Sequence, residues 1–297
     1  MSARRWRLRA AGLLVVALAA PVAAAVPAAA AVRPPAGAAA ATFTTTVGGV
    51  RCTGPGTKAA RATALRVQRA LGPALRATRA RTSVAVDDTA TGVTCTASDG
   101  RTYDSASVVK VAIVAALLQA RRAAGRPVSA TERAEARRAI TRSDNAAASA
   151  LWRRVGGAAG MRRFFALAGM AHTVPGSSAW GLTQVTAGDQ LVLLRLVTGP
   201  GLLDPADRRT LRDLMAAVVK SQRWGVPVGA PASATVGVKN GWLHRRTHAW
   251  RVHSIGWVEQ RTTTYRVVLL GDGWPSLTVG VRGLARLARA VHTALAR

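Results

Sequence analysis

The spacing of hydrophobic and polar residues along the chain predicts strands near both ends and a block of helices between them. Residues 57–79 carry apolar side chains on one broad face, which predicts a first helix. Two short strands are predicted next, at residues 82–88 and 93–97. Residues 107–120 are apolar almost all round and therefore predict a buried helix.

The pattern then runs through several helices and returns to strands. The further elements, in chain order, are helices within 131–171, helices at 182–198 and 204–220, strands at 234–242, 250–258 and 264–270, and a basic amphipathic helix at 277–297. Three consecutive strands favour an antiparallel sheet. We therefore predict an α/β (α+β) domain over 57–297, in which 57–106 and 221–297 carry the sheet and 107–220 is mostly helical.

The first 56 residues differ from the rest in composition. Four arginines precede an apolar run at 10–26, and an A-x-A pattern ends at Ala31. This combination predicts a secretory signal peptide over 1–31, with an uncleaved membrane anchor as the alternative. Residues 32–56 are rich in Pro, Gly, Ala and Thr and predict a flexible stalk. The protein is accordingly expected to be secreted.

Composition narrows the function classes. The chain of 297 residues has 42 Lys+Arg against 13 Asp+Glu, a net charge of +29 that falls to about +25 without the four N-terminal arginines. Its 49% hydrophobic content excludes disorder over most of the chain, and its 19% of charged residues are spread along the sequence. With no nucleic-acid-binding motif, a nucleic acid is not an expected partner.

The cysteines and histidines predict a disulfide and no metal site. Cys52 and Cys95 are the two cysteines, and an even number in an exported chain favours a disulfide between them, with two free thiols as the alternative. His244, His248 and His253 have no cysteine or acid beside them, so we interpret them as solvated. Neither a metal nor a cofactor is expected.

The predicted buried helix carries a candidate nucleophile and base. Lys110 lies in an apolar run, where burial lowers the pKa of a lysine and frees its amine to act as a base. Ser107 comes three residues earlier, so both side chains share one helical face, about 5–6 Å apart at Cβ. The helix N-terminus also offers backbone N–H groups to an oxyanion. Alternatively, Ser107 caps the helix and Lys110 extends to solvent.

Two further polar motifs occur once each. Residues 143–145 (Ser-Asp-Asn) place a hydroxyl and an amide together between helices, where a helix cap is the alternative interpretation. Residues 239–241 (Lys-Asn-Gly) fall on a predicted strand, where the glycine leaves room for a substrate backbone and a polar strand end is the alternative. The ordered set S-x-x-K, S-D-N and K-x-G is far more specific than any one motif.

As a set, these motifs resemble those of the penicillin-recognising serine hydrolases, which comprise class A β-lactamases and D-Ala-D-Ala peptidases. The run at 239–243 (KNGWL) is similar to that of exported serine hydrolases of high-GC actinobacteria. The resemblance covers residues 57–297. It implies the β-lactamase/D,D-peptidase-like fold, an antiparallel sheet flanked by helices with an inserted all-helical domain.

The resemblance also implies a role for each matching residue. Ser107 would be the acylated nucleophile, Lys110 its base partner and Ser143 a proton relay to the leaving amine. The substrate-binding residues would be Asn145 at the substrate amide, Lys239 at its carboxylate, and Asn240, Gly241 and Trp242 along the strand. The backbone N–H groups of Ser107 and Trp242 would form an oxyanion hole. Arg251 and His253 are further candidates for contact with a substrate carboxylate.

Two departures from the family pattern stand out. Asn240 replaces a usual Thr or Ser, so the hydroxyl that meets a substrate carboxylate is missing, although an amide can still donate a hydrogen bond. Class A lactamases hydrolyse the acyl-enzyme with a glutamate carried between the second and third motifs. The glutamates of this chain all lie outside that interval, at Glu132, Glu135 and Glu259. Asp189 is the only acidic residue in 174–189, and we interpret it as a helix cap.

These observations predict a secreted serine hydrolase that acts by acylation of Ser107 on β-lactam-like or D-Ala-peptide-like amides and esters, with slow deacylation. The alternatives are a D-Ala-D-Ala carboxypeptidase or esterase at the cell wall, and a non-catalytic cell-wall-binding protein on the same fold. The expected partners are a small-molecule or peptidoglycan-derived substrate and anionic cell-wall polymers. Membrane contact is expected only through the transient signal peptide, and the protein is expected to be a monomer.

Overall fold

The computed structural model describes residues 41–261 and 263–296, and an antiparallel sheet of seven strands runs through it. The strands, in chain order, are Thr42–Val47 (β1), Val50–Pro55 (β2), Arg81–Asp88 (β3), Val93–Ala97 (β4), Tyr103–Asp104 (β5), Gln184–Val185 (β6), Thr235–His244 (β7), Trp250–Gln260 (β8) and Thr263–Trp274 (β9). The sheet order is β1-β2-β4-β3-β9-β8-β7, and β5 pairs with β6 separately. The predicted antiparallel sheet is confirmed.

The α-helices of the described chain flank this sheet. They are Lys58–Arg76 (α1), Val109–Ala123 (α2), Ala130–Thr141 (α3), Asn145–Arg154 (α4), Gly157–Leu167 (α5), Ala187–Thr198 (α6), Pro205–Ala216 (α7) and Leu277–Leu295 (α8). Helices α1 and α8 pack on each other and on the sheet, α1 against β2 and β4 and α8 against β8 and β9. None of these described helices is long and apolar enough to span a bilayer.

Helix α2 forms the centre of the helical part. Every residue from 109 to 118 is buried, as the all-round apolar pattern predicted. The helix packs against α3, α4, α5 and α7. A short 3-10 turn, Ala106–Val108, leads into α2 and lies against β7, an edge strand of the sheet. This junction is where the candidate residues meet.

The predicted stalk at 32–56 is wrong for residues 42–55, which form the β1–β2 hairpin at the edge of the sheet. Gly48 and Gly49 both have positive φ and form a two-residue turn that closes it, with Val47 paired to Val50. The Gly- and Thr-rich composition suggested a linker, but Phe43 and Cys52 turn inward and are buried. The predicted signal peptide at 1–31 and the start of the stalk at 32–40 lie outside the described residues.

The expected division at 107–220 also needs correction. Helix α6 begins at Ala187 rather than residue 182, because Trp180–Leu182 forms a 3-10 turn and β6 follows it. This helix packs against β3, β8 and β9 of the sheet as well as against α7, so it connects the helical part to the sheet. The described residues fall in one compact unit. The helix predicted at 204–220 ends at Ala216.

Cys52 and Cys95 form a disulfide, which confirms the predicted pairing and excludes two free thiols. They lie directly opposite each other on β2 and β4, with their Cα atoms 4.0 Å apart. Both side chains are buried. The bond therefore ties the hairpin to the rest of the sheet.

Replacing both cysteines with alanine is expected to lower the free energy of unfolding by about 2–4 kcal/mol, because the bond closes a loop of 43 residues in the unfolded chain. Urea denaturation of the double variant and the oxidised wild type gives this difference. Reductant should lower the wild-type midpoint and leave the variant unchanged. Equal midpoints for the two oxidised proteins would contradict the stabilising role.

Candidate active site

Ser107 lies in the 3-10 turn ahead of α2 and not in the helix itself. Ala106, just before it, has φ of +47°, a left-handed conformation that costs a non-glycine residue about 1–2 kcal/mol. Such strain is typical of functional turns. The half-buried Ser107 side chain makes no hydrogen bond to a described residue and caps neither the turn nor α2. The capping alternative is therefore wrong, and the hydroxyl is unengaged.

Lys110 is completely buried and points across to the 143–145 segment. Its Nζ donates to the Ser143 carbonyl at 2.6 Å, to Asn145 Oδ1 at 2.8 Å and to Ser143 Oγ at 3.3 Å. Burial lowers the pKa of Lys110 to about 8, against a partial opposing effect of the Asp144 charge. The alternative in which Lys110 extends to solvent is therefore wrong. The site contains a buried amine whose pKa lies close to neutral pH.

Ser143 connects the two buried lysines. It lies between α3 and α4 with φ of +58°, next to Asp144, which caps α4 by accepting from the Ala147 N–H. Lys239 on β7 donates from Nζ to Ser143 Oγ at 2.9 Å and to the Asn240 carbonyl at 2.9 Å. Burial and the nearby Lys110 hold the pKa of Lys239 well below its usual value. One hydroxyl thus has an amine on each side, an arrangement suited to proton relay.

Gly241 lets the edge strand β7 approach the nucleophile turn. A Cβ at this position would lie 2.9 Å from the Ser107 nitrogen and 3.0 Å from the Ser105 carbonyl oxygen. Real Cβ atoms do not come so close to backbone, so a side chain here would push the strand and the turn apart. Sequence reasoning expected this glycine to make room for a substrate backbone, whereas the structure shows that it makes room for the protein's own backbone at Ser107.

Asn240 points away from this contact and holds a neighbouring loop. Its Nδ2 donates to the Gln222 carbonyl at 2.6 Å and to the Trp224 carbonyl at 2.9 Å, and the side chain is fully buried. The loop carries Trp224, whose ring centroid lies 6.0 Å from that of Trp242. Both amide hydrogens of Asn240 are therefore committed to the protein, and the expectation that they could bind a substrate carboxylate is wrong.

The segment between Val174 and Gln184 lies beside the nucleophile turn and contains no acidic residue. Trp180 in this segment places its indole ring over Lys110, with Nζ 4.6 Å from the ring centroid. Asp189 follows at the start of α6, but Thr186 is the residue that caps this helix. The Asp189 carboxylate instead accepts from the His172 N–H and the Thr173 hydroxyl. The interpretation of Asp189 as the helix cap is corrected accordingly.

His253 and Arg251 stabilise the sheet near the site instead of facing it. His253 is completely buried, its Nδ1 accepts from the Gly271 N–H at 3.2 Å, and its Nε2 donates to the Asp104 carbonyl at 2.9 Å. Burial lowers the pKa of His253 to about 4, so the ring is neutral. The Arg251 guanidinium pairs with the Asp104 carboxylate at 2.9 Å. The expectation of a solvated His253 is wrong, and neither residue is left to bind a substrate carboxylate.

Comparison with known proteins identifies the family of the chain. Residues 123–295, more than half of its length, match the model of the β-lactamase enzyme family. The chain belongs to this family. No sequence among the curated proteins matches it. The match includes the second and third motifs and the sheet strands β7–β9, while the nucleophile turn lies ahead of it.

Solved structures of β-lactamases share the fold of this family member. A β-lactamase from Streptosporangium roseum has 22% identity and a TM-score of 0.67 over 78% of this chain and 98% of its own. One from Xanthomonas campestris has 18% identity and a TM-score of 0.66 over 79% and 98%. An ancestral class A β-lactamase has 23% identity and a TM-score of 0.65 over 77% and 99%. The predicted α+β fold with its flanking helices is confirmed.

The structure brings most of the predicted site residues of this β-lactamase family member together. Hydrogen bonds join Lys110, Ser143, Asn145 and Lys239, and Gly241 contacts the Ser107 turn. Asn240 is the exception, because its side chain faces the 222–224 loop. Among the described residues, no group of three metal-ligating side chains forms a cluster. The catalytic role of each residue stays a prediction at this point.

Sequence reasoning missed two residues beside the site, Trp180 and Asp104. Trp180 lies in the 174–184 segment, but no local pattern indicates that its ring covers a lysine 70 positions earlier in the chain. Asp104 lies three residues before the nucleophile and pairs with both Arg245 and Arg251. Those partners come from the β7–β8 connection and from β8, so only the folded sheet reveals them.

Replacing Asn240 with threonine, the usual residue of the motif, is expected to lower the free energy of unfolding by about 1–3 kcal/mol. The smaller side chain leaves the Gln222 or Trp224 carbonyl without its donor in a buried setting. Chemical denaturation measures the change, with Asn240→Ala as the matched variant that removes both donors and should lose at least as much. A threonine variant as stable as the wild type would contradict the anchoring role.

Proposed function

We propose that the protein is a serine hydrolase that is acylated at Ser107 by β-lactam-like or D-Ala-peptide-like amides and esters. The observation that carries this proposal is the convergence of Lys110 and Lys239 on Ser143 Oγ beside an unengaged Ser107 hydroxyl. Burying two lysines in one site is unfavourable without a role for their amines. A non-catalytic binding protein would not need this arrangement.

Acylation in this site requires three proton transfers. Ser107 Oγ attacks the substrate carbonyl carbon while its proton passes to the neutral amine of Lys110. Lys110 Nζ bonds to residues 143–145 in the structure, and we propose that it turns from them to Ser107 as the substrate binds. Ser143 then gives its proton to the leaving nitrogen or oxygen as the bond to carbon breaks, and it regains one from Lys110. The backbone N–H groups of Ser107 and Trp242 are the proposed donors to the oxyanion.

Slow deacylation is the second part of the proposal. Hydrolysis of the ester needs a base that removes a proton from water. The aspartates on the elements around the site are all engaged: Asp104 with Arg251, Asp144 at the start of α4, and Asp189 with residues 172–173. The three glutamates pair with arginines elsewhere in the described structure, Glu132 with Arg121, Glu135 with Arg154 and Glu259 with Arg212.

An esterase is the second candidate, and Asn240 is the observation that favours it. The amide hydrogens that could have bound a carboxylate beside the scissile bond are held by the Gln222 and Trp224 carbonyls. A neutral ester needs no such contact. The half-buried pair of Trp224 and Trp242 offers an aromatic surface beside the same strand.

We further propose that the protein acts outside the cell, in contact with the cell wall. The support comes from the N-terminal pattern of charges and apolar residues and from the disulfide, a bond that persists in oxidising compartments. The net charge of about +25 after export suits anionic wall polymers. Secretion assays of the full chain, with and without residues 1–31, test this localisation.

A comparison of substrates tests the enzymatic proposal. The purified protein is incubated separately with a labelled penicillin, a chromogenic cephalosporin, a D-Ala-D-Ala peptide and a neutral aryl ester. We expect the penicillin mass on the peptide that contains Ser107, and the ranking of turnover separates lactamase, peptidase and esterase activities. Absence of an adduct and of turnover with all four would contradict the proposal.

A further inference from the structure

The Trp180 ring lies over the Lys110 amine. The indole ring lies over Nζ at 4.6 Å from the centroid, and its Nε1 donates to Ser149 Oγ at 3.0 Å. Ser149 lies on α4, the helix that begins at the S-D-N motif. The ring is thus fixed between the loop that carries it and the helix that supplies the second motif.

The loop that carries Trp180 is held firmly next to the nucleophile. Its two ends are joined by reciprocal backbone hydrogen bonds between Val174 and Gln184, at 3.0 and 2.8 Å. The Ser105 N–H donates to the Thr183 carbonyl at 2.8 Å, two residues ahead of Ser107. Within the loop, a Cβ on Gly176 would lie 2.2 Å from the Ala179 carbonyl oxygen, so the turn closes tightly. These contacts hold the loop beside the nucleophile turn, and the hydrogen bond from Trp180 Nε1 to Ser149 Oγ orients the indole.

The surroundings of the amine leave no place for a bound water on this side. Three hydrogen-bond acceptors, the Ser143 carbonyl, Ser143 Oγ and Asn145 Oδ1, match the three N–H groups of an ammonium. The remaining side faces the indole, which offers a water no acceptor for its protons. An ordered water needs two to four polar partners.

We propose that Trp180 is a positioning residue that sets the lifetime of the acyl-enzyme by excluding the hydrolytic water from the Lys110 side of the Ser107 ester. This rests on the proposed acylation of Ser107 and goes beyond it, because it assigns the slow step to a residue that is present as well as to a base that is missing. The indole ring holds Lys110 toward residues 143–145 by a cation–π contact. The same ring would lie in the path of the water, because the 3-10 turn Trp180–Leu182 contacts the nucleophile turn Ala106–Val108.

Substitutions at Trp180 separate the parts of this proposal. Trp180→Phe keeps an aromatic ring and loses only the bond to Ser149, so its adduct should persist as long as that of the wild type. Trp180→Ala opens the space and should shorten the adduct lifetime about tenfold. Trp180→Glu also supplies a carboxylate that accepts a proton from water as the water oxygen attacks the ester carbon. That proton then passes through Lys110 to Ser107 Oγ as the bond between Oγ and the carbon breaks. The adduct of this variant should decay about 10²-fold faster or more.

The measurement is the decay of a penicillin adduct by intact mass after removal of excess penicillin, together with the rate of adduct formation. Trp180→Gln is the matched control for Trp180→Glu, because it has the same size and no base. Trp152 is a half-buried tryptophan on α4. The variant Trp152→Ala controls for a general loss of packing and should leave the adduct lifetime unchanged. Far-ultraviolet circular dichroism establishes that each variant is folded.

The outcomes are distinct. Persistence in the phenylalanine variant with faster decay in the alanine and glutamate variants supports the proposal. Equal lifetimes in wild type, Trp180→Ala and Trp180→Glu, with adduct formation intact, would overturn it, as would equal shortening by Trp152→Ala. If Trp180→Ala does not fold, the remaining variants still test the proposal. The adduct of Trp180→Glu should then decay faster than those of Trp180→Gln and Trp180→Phe. A wild type that never forms an adduct counts against the acylation of Ser107 itself.

Discussion

Ser107→Ala is expected to form no acyl adduct and to lose hydrolysis by a factor of about 10³ or more, because the atom that bonds to the substrate carbonyl is removed. The variant should remain as stable as the wild type, to within about 0.5 kcal/mol, since the hydroxyl makes no hydrogen bond to a described residue. Intact mass after incubation with a penicillin measures the first effect and thermal unfolding the second.

A matched control tests whether the loss of the adduct is specific to the Ser107 hydroxyl. Ser233 is exposed ahead of β7, and Ser233→Ala should form the adduct at the wild-type rate. Adduct formation by Ser107→Ala would show that another group is the nucleophile. A large loss of stability in Ser107→Ala would show instead that the turn depends on the hydroxyl.

Lys110→Arg is expected to slow acylation by a factor of about 10²–10⁴, because an arginine keeps its proton and cannot accept one from Ser107. The wild type should show the corresponding pH dependence. Burial lowers the pKa of Lys110 from 10.5 to about 8, and the base is the neutral form. The acylation rate should therefore rise about tenfold per pH unit below pH 8 and level off above it. A stopped-flow acylation assay from pH 6 to 10 measures this profile.

Lys58→Arg provides the control for this substitution. Lys58 is exposed at the start of α1, and its replacement should leave both the acylation rate and its pH profile unchanged. A wild-type rate that is flat between pH 6 and 8, or that falls as the pH rises, would contradict the role of Lys110 as the base. An unchanged rate in Lys110→Arg would do the same.

The periodic parts of the fold and the motif-bearing elements could be predicted from the sequence. An apolar run of 107–120 has few solutions other than a buried helix, and the structure places α2 at the centre of the helical part. The three C-terminal strands could also be predicted, and each is buried over most of its length. The lysines could be found because an ammonium among valines is unfavourable without a partner, and both lysines contact Ser143.

The remaining features depend on contacts between residues far apart in the chain. The β1–β2 hairpin has the composition of a linker, and only its pairing with β4 and its buried Phe43 make it part of the sheet. Asn240 reads as a substrate contact until its loop partners are known. Trp180 covers Lys110 only because the 174–184 loop is bonded to Ser105. The spacing of apolar residues predicts helices and strands, but it does not indicate which distant residues come into contact.

The most direct test of the account is a time course of intact mass after the wild-type protein meets a single equivalent of penicillin. We expect one covalent adduct that maps to the peptide containing Ser107, forms faster at pH 8 than at pH 6, and persists much longer than the time needed to form it. Release of hydrolysed penicillin as fast as the adduct forms would contradict the absence of a base for deacylation. An adduct on any other residue would contradict the assignment of the nucleophile.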